Sequence, residues 1–310
     1  MQLNAVFIIL HYLEAETTVS AVESVRSSFA AEPDSIRIVV VDNASPDGSG
    51  ALLQDKYRDD STVTILLSKR NEGFARGNNI GFRYAKARWQ FRYMIFMNND
   101  VLVDDPELFR KLDEAYAQYR FGVLGPDLLC EDGVTHQYDA LRQPFTIHEL
   151  EKRKTRYERQ NRFFPLYYLL GKAKNAAVSL QRLFIHRNAP GPSSGGPVTG
   201  IVLFGSFLVF TAALCEAREY AFYPGTFLYY EEDILSYECS RDGYVVMYDP
   251  RIRVIHLNDR SSRAAFGSDY RLARFKNAEI AKSVQVLIDL MRRDQQDPDT
   301  RSVPSARTGI

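Results

Sequence analysis

The chain has 310 residues, 45% apolar and 25% charged, with a formal net charge of zero. That length buries a sizeable core in one or two domains, the composition argues against wholesale disorder, and neutrality gives no general case for nucleic-acid binding. Three cysteines (Cys130, Cys215, Cys239) without CxxC spacing argue against a disulfide framework or a zinc site, read as small buried hydrophobes, and fit a reducing cytosol.

The N-terminal run to Leu10 has no basic leader and reads as a buried first strand, not a signal peptide. Thr17 to Phe29 has helical spacing (Val19, Val22, Val25), with Thr17 or Thr18 as the expected cap. Ile36–Val41 is an almost continuous β-branched run, as in a strand covered on both faces. It stops at Asp42-Asn-Ala-Ser, a turn and cap cluster. A helix over 51–58 and a strand over 63–67 follow. Residues 71–81 form a Gly/Asn-rich stretch, expected as a loop leading into a helix near Phe82–Ala87. Tyr93–Met97 is another buried strand, ending at Asn98-Asn99-Asp100. The β-α-β-α-β alternation predicts a parallel, doubly wound sheet, whose ligands bind at the carboxyl ends of the strands.

Asp105-Pro106 opens a helix through Gln118, and Val123–Pro126 reads as a short strand and turn. Residues 149–189 carry ten Lys and Arg against three Glu, a net of plus seven against minus seven over the rest, with Phe163, Phe164, Tyr167 and Tyr168 inside. Residues 191–197 read as a flexible linker. An apolar segment containing Gly205-Ser-Phe-Leu-Val-Phe precedes Phe227-Leu-Tyr-Tyr-Glu-Glu-Asp233. A strand ends at His256, and helical spacing returns from Tyr270 to about Arg293, before a tail of disordered composition. No segment reaches the ~18 apolar residues that span a bilayer.

Each motif has a plain structural reading beside a chemical one. Asp42 just past a buried strand can accept from a ribose or base edge, or simply cap a turn. The Gly/Asn stretch lacks the P-loop ending, yet it can present backbone N–H groups, and Arg76 can pair with a phosphate. Asp100 and the Asn98 amide oxygen suit a hard divalent cation, or close a strand. His256 alone reads as structural. Glu231, Glu232 and Asp233 repel one another unless a proton, cation or substrate uses them; crowding and partial burial lift a carboxylate towards use as a general base. The plain alternative is an acidic, solvated helix start.

Five ordered blocks between Val6 and about Ser262 together resemble a family 2 glycosyltransferase of the GT-A fold: Ile8–Tyr12, Val39–Ser45, Asn71–Gly81, Asn98–Asp100, and Gly205–Phe207 with Phe227–Asp233, Gly243-Tyr244 and His256. The nearest flavour is the rhamnosyl- and capsule-type transferases of bacterial polysaccharide assembly. The resemblance implies an α/β, mostly parallel Rossmann-like sheet with helices on both faces. It implies nucleotide-sugar contacts from His11, Asp42, Asn71, Arg76, Asn78 and Asn99. It implies a divalent metal (Mg²⁺ or Mn²⁺) at Asp100, Asn98 and His256. Glu232 aligns with the inverting base, Glu231 is the neighbouring candidate, and Asp233 and Tyr230 would meet the acceptor. Two positions depart from the pattern: Asn98 is neutral where Asp-x-Asp begins with an acid, and Ile234 replaces a further acidic residue.

The donor is expected to be a UDP- or dTDP-linked sugar and the acceptor a saccharide or lipid-diphosphate-linked glycan. Residues 1–265 are expected to form the catalytic domain: a nucleotide-sugar half (1–105), an acceptor half (106–265) and a basic, aromatic helical insertion (145–195) within it. Residues 266–310 supply a helix and tail. The insertion suits an anionic membrane surface, or else packs as a solvated helical pair; the expected location is the cytoplasm, at the inner face of the membrane. A sugar-nucleotide nucleotidyltransferase should show a basic Gly-rich loop near the N-terminus, and His11–Glu16 has none. A catalytically inactive glycan-binding homologue should lose the carboxylates, and Asp100 and Glu232 remain.

Overall fold

The computed structural model describes residues 2–132, 135, 136, 142–171, 196–257 and 268–296. Its centre is a nine-stranded sheet. The strands are β1 (Leu3–His11), β2 (Ile36–Asp42), β3 (Val63–Leu67), β4 (Phe91–Asn98), β5 (Val101–Leu102), β6 (Phe121–Leu129), β7 (Val198–Thr199), β8 (Phe207–Thr211) and β9 (Val245–His256). They lie in the order β3-β2-β1-β4-β8-β6-β9-β5, with β7 against β9. The first four are mutually parallel, and β6 and β9 run the same way; β5, β7 and β8 are reversed. Six of nine strands thus share one direction, as the β-α-β pattern predicts.

Strand pleating splits the core between the two faces. Phe7, Ile9, Ile38 and Val40 pack under α1 (Ala15–Ser28), α2 (Ser49–Lys56) and α4 (Leu108–Tyr119) through Val22, Leu53 and Leu112. Val6, Ile8, Val39 and Val41 face α3 (Gly73–Arg88), α6 (Ala212–Ala217) and α7 (Glu231–Arg241) through Phe82, Leu214 and Leu235. A third cluster joins Leu150 of α5 (Ile147–Arg162) and Ile234 of α7 to Val284 and Leu287 of α8 (Asp269–Gln296). Burial on both faces explains why β1, β2 and β4 read as unbroken apolar runs.

Three local expectations change. The Gly/Asn stretch is not a loop from 71 to 81: α3 already begins at Gly73. Its glycines serve close packing instead. A Cβ on Gly77 would stand 2.6 Å from Leu10 Cδ1, and one on Gly81 2.5 Å from Ile8 Cγ2, so α3 lies hard against β1. Helix α1 starts at Ala15, without a side-chain cap; Thr17 and Thr18 are buried inside its first turn. Strand β6 runs nine residues, longer than the short strand expected at 123–126, because it pairs with the twelve-residue β9 along most of its length. The linker at 191–195 and the tail beyond Gln296 lie outside the described residues.

Candidate active site

The carboxyl ends of β1, β2 and β4 meet at one edge, where the strand order reverses between β1 and β4 and a crevice opens. A buried network organises this edge. His11 Nδ1 bonds Thr18 Oγ1 (2.6 Å), and His11 Nε2 bonds Ser49 Oγ (2.9 Å). Asn99 Nδ2 donates to the same Thr18 oxygen at 3.0 Å. His11, expected as a ligand contact, is fully enclosed with both ring nitrogens engaged, and there it braces the strand ends. Burial holds its pKa below the usual histidine value, favouring the neutral ring. Asp42 accepts from the Ser45 backbone N–H (3.1 Å) and hydroxyl (2.6 Å), so the cap reading holds at Oδ1. Its carboxylate lies over Gly50, where a Cβ would stand 2.5 Å from Asp42 Cγ.

Three further expected donor contacts bond within the protein. Asn71 Oδ1 accepts from Asn43 Nδ2 (3.1 Å) and from Gly73 N–H (2.9 Å). Asn78 is buried in α3 and donates to Phe74 O at 3.1 Å. Arg76 reaches the Pro224 carbonyl (2.8 Å) and lines a small outer cleft, apart from the principal cavity. Asn79, not singled out from the sequence, clamps the two halves. It donates to Phe222 O (2.6 Å) and accepts from the Ala221 and Phe222 N–H groups (2.9 and 3.0 Å).

Asp100 follows β4 and is buried, its Oδ1 without a hydrogen-bond partner and 3.4 Å from His256 Nε2. Pairing of Val101 with His256 brings the two together. Among the described residues no group of three or more His, Cys, Asp and Glu gathers for a metal ion. The unsatisfied Asp100 carboxylate and the His256 imidazole, with the Asn98 amide two residues before Asp100, nevertheless offer donor types that suit a hard cation.

Next to this edge lies a cavity of about 1000 Å³. Asn98 lines it together with Glu231, Glu232, Asp233, Tyr229 and Tyr230. Tyr229 and Tyr230 both adopt left-handed backbone (φ 70° and 69°) immediately before α7. Such strain in non-glycine residues concentrates where function fixes the chain. It turns the first residues of α7 into the cavity. Glu231 is almost wholly enclosed and its Oε1 has no hydrogen-bond partner, whereas Glu232 keeps partial exposure. The expected alternative of a solvated helix start is therefore corrected: this start is acidic and dry.

Burial raises the pKa of all three carboxyls, and neighbouring acids add to the rise at Glu231 and Glu232. Arg142 opposes the rise: its guanidinium pairs with Asp233 Oδ1 and lies 4.1 Å from the Phe145 ring centroid. The Glu232 side chain rests on Gly205, where a Cβ would stand 2.8 Å from its Cδ. The adjoining Ser206 carbonyl accepts from Asn98 N–H at 2.9 Å. The acid cluster and the end of β4 are thus joined through a single two-residue segment. Arg142, His136 and Lys276 also line the cavity and were not legible in the sequence, since no motif surrounds them.

A sheet in this order, with a carboxylate and histidine at its carboxyl edge and an acid-lined cavity beside them, defines a GT-A-type fold. Residues 6–174 match glycosyl transferase family 2, more than half of the chain, so the chain belongs to that family. Solved structures agree in fold. S. aureus TarS 1-349 aligns over 99% of this chain and 76% of its own, with a TM-score of 0.50 and 11% identity. The mannosyltransferase PcManGT from Pyrobaculum calidifontis, in complex with GDP-Man and Mn2+, aligns over 99% and 78%, with a TM-score of 0.52 and 13% identity. In sequence, the succinoglycan biosynthesis protein ExoO of Rhizobium meliloti (strain 1021) is 30% identical over 114 residues, 37% of this chain and 30% of its own. The match to the uncharacterized protein MJ0544 of Methanocaldococcus jannaschii covers 39% of that protein. The chain thus spans about a third of the length of the curated relatives it matches.

Proposed function

We propose that the chain transfers one sugar, with inversion, from a UDP- or dTDP-linked donor to a saccharide or lipid-linked glycan. The setting we infer is assembly of a bacterial surface polysaccharide, of rhamnosyl or capsular type, at the cytoplasmic side. The name of the succinoglycan biosynthesis relative supports the pathway class, and the nucleotide sugar held by the archaeal mannosyltransferase supports the donor class. The observation that carries the reading is the Asn98–Ser206–Gly205–Glu232 connection, which sets a partly exposed carboxylate beside the sheet edge where Asp42 and Asp100 end.

In this reading Asp42 holds the nucleoside and Asn98–Asp100 face the diphosphate. Glu232 lies across the cavity from the leaving group. It takes the proton of the acceptor hydroxyl as the new bond to the anomeric carbon forms and the bond to the diphosphate oxygen breaks, in one in-line displacement. A divalent cation held by Asp100 and His256, with the Asn98 oxygen, would neutralise charge developing on the departing diphosphate. Glu231 lies deeper than Glu232, and burial with the nearby Asp233 carboxylate raises the proton affinity of Glu232. Asp233, fixed by Arg142, and Tyr230 line the acceptor side.

Thermal shift against a panel of UDP-, dTDP- and GDP-sugars with Mn²⁺, followed by nucleotide-diphosphate release, tests the assignment, because a ligand of the native state raises its melting temperature. At least one sugar nucleotide should stabilise the protein and turn over. A panel that neither binds nor reacts, with or without acceptor glycans, refutes it.

A further inference from the structure

The helix pair that walls the cavity also carries an inverted surface. Helix α5 ends at Arg162, and a further helical segment covers residues 164–171, with Pro165 in its first turn where no N–H is needed. Phe164 is buried, and with Tyr168 it packs on Tyr270 of α8 at 5.3 and 5.0 Å between ring centroids. That i, i+4 pair fixes one side of the segment. The opposite side bears Phe163, Leu166, Tyr167, Leu169 and Leu170, between 41% and 65% exposed. Five large apolar side chains within eight residues, all outward, form a patch that a soluble surface does not tolerate without use.

Charge indicates the occupant. Exposed Arg156, Arg159 and Arg162 recur every three residues on α5 and lead into Phe163 and Leu166. Apolar and aromatic side chains bordered by arginines match the interface of an anionic bilayer, where rings and aliphatic chains enter the headgroup region and guanidiniums meet phosphates. Among the described residues no helix is long and apolar enough to cross a membrane. Tyr157 of α5 and Leu272 and Lys276 of α8 line the cavity, so the helix that carries the arginines and the helix on which the apolar segment packs also wall the cavity.

We propose that Phe163, Leu166, Tyr167, Leu169 and Leu170, with Arg156, Arg159 and Arg162, form a docking face for an anionic lipid surface that brings the acid-lined cavity to the bilayer. It deepens the acceptor reading above but rests on separate residues. The full chain is sedimented with vesicles of phosphatidylcholine alone and of phosphatidylcholine with 30% phosphatidylglycerol. The wild type should bind the anionic vesicles and release in ~0.5 M salt as screening weakens the arginine contacts. Leu166→Ser/Leu170→Ser and Arg156→Glu/Arg159→Glu should each lose at least tenfold in partitioning, with unchanged melting temperature and unchanged release of nucleotide diphosphate from soluble donor. Wild type that ignores anionic vesicles, or variants that bind them equally, overturns the proposal. So does a wild-type dimer in sedimentation velocity that Leu166→Ser/Leu170→Ser dissociates while vesicles stay unbound, since the patch then serves a second copy. Loss of donor turnover in these variants would count against the separation of patch and active site, leaving the glycosyltransferase reading intact.

Discussion

Gly205→Ala attacks the proposed base without touching its chemistry. The backbone of Gly205 lies outside the left-handed region, so alanine fits the main chain and the conflict is confined to Glu232. The new Cβ would stand 2.8 Å from Glu232 Cδ and 3.1 Å from Cγ, where ordinary contact begins at 3.4 Å. The carboxylate, nearer still, must retreat by on the order of 1 Å. A displacement of that size at a reacting group costs about 10²-fold in rate, about 2.7 kcal/mol of activation free energy. Deleting the base altogether costs up to about 10⁴-fold. Steady-state release of nucleotide diphosphate in the presence of acceptor gives kcat, and thermal shift with the donor gives binding. The expected variant binds donor within about twofold of wild type and loses about 10²-fold in kcat. Gly205→Ala with wild-type kcat would show that Glu232 need not stand where it does, and the reasoning from geometry to base fails.

Other expectations follow from the same coordinates. The transfer rate should rise with pH to a midpoint near the value of about 7 to which burial pushes Glu232, well above the ordinary carboxylate range. Arg142→Met should move that midpoint higher still, because the guanidinium holds Glu232 down, and should destabilise the fold by about 3 kcal/mol by stranding Asp233; a pH–rate profile and urea melts check both. Glu231→Gln should stabilise the protein increasingly as pH rises. The folded pKa of Glu231, about 8, exceeds its ordinary value of 4.5, so the native penalty is absent below pH 4.5 and complete above pH 8. A gain on the order of 2 kcal/mol, or about 3 °C in melting temperature for a chain this long, should appear at pH 8.5 and shrink by pH 5.5. Asn79→Ala removes one side-chain donor and the acceptor of two backbone N–H groups, and should cost about 3 kcal/mol in denaturant melts. Asp100→Asn should raise the Mn²⁺ concentration needed for half-maximal rate at least tenfold, read by metal titration.

Much of the sheet was legible because buried parallel strands announce themselves as unbroken apolar runs: Ile36–Val41, Val63–Leu67 and Tyr93–Met97 all fall within observed strands. The start of α3 was not, because Gly77 and Gly81 read as breakers in sequence, whereas against Leu10 and Ile8 their missing side chains are what allow the helix its place. Asp100 and His256 stand 156 positions apart and meet only through the Val101–His256 pairing, yet both could be picked out as strand-end residues. His11 was picked as a ligand contact for its position; its two internal hydrogen bonds depend on Thr18 and Ser49, which sequence alone does not bring to it. Arg142 and Asp233 are 91 residues apart, and no periodicity or motif links them.

In the proposed reaction Glu232 receives the acceptor proton, Asp42 holds the nucleoside, and Asp100 with His256 would hold the cation. Glu232→Gln keeps size and shape and removes the base, so donor affinity and transfer should separate. Measured side by side, donor binding should stay within about twofold while transfer falls by 10²-fold or more, by the usual worth of a general base. Undiminished transfer by Glu232→Gln would contradict the account at its centre.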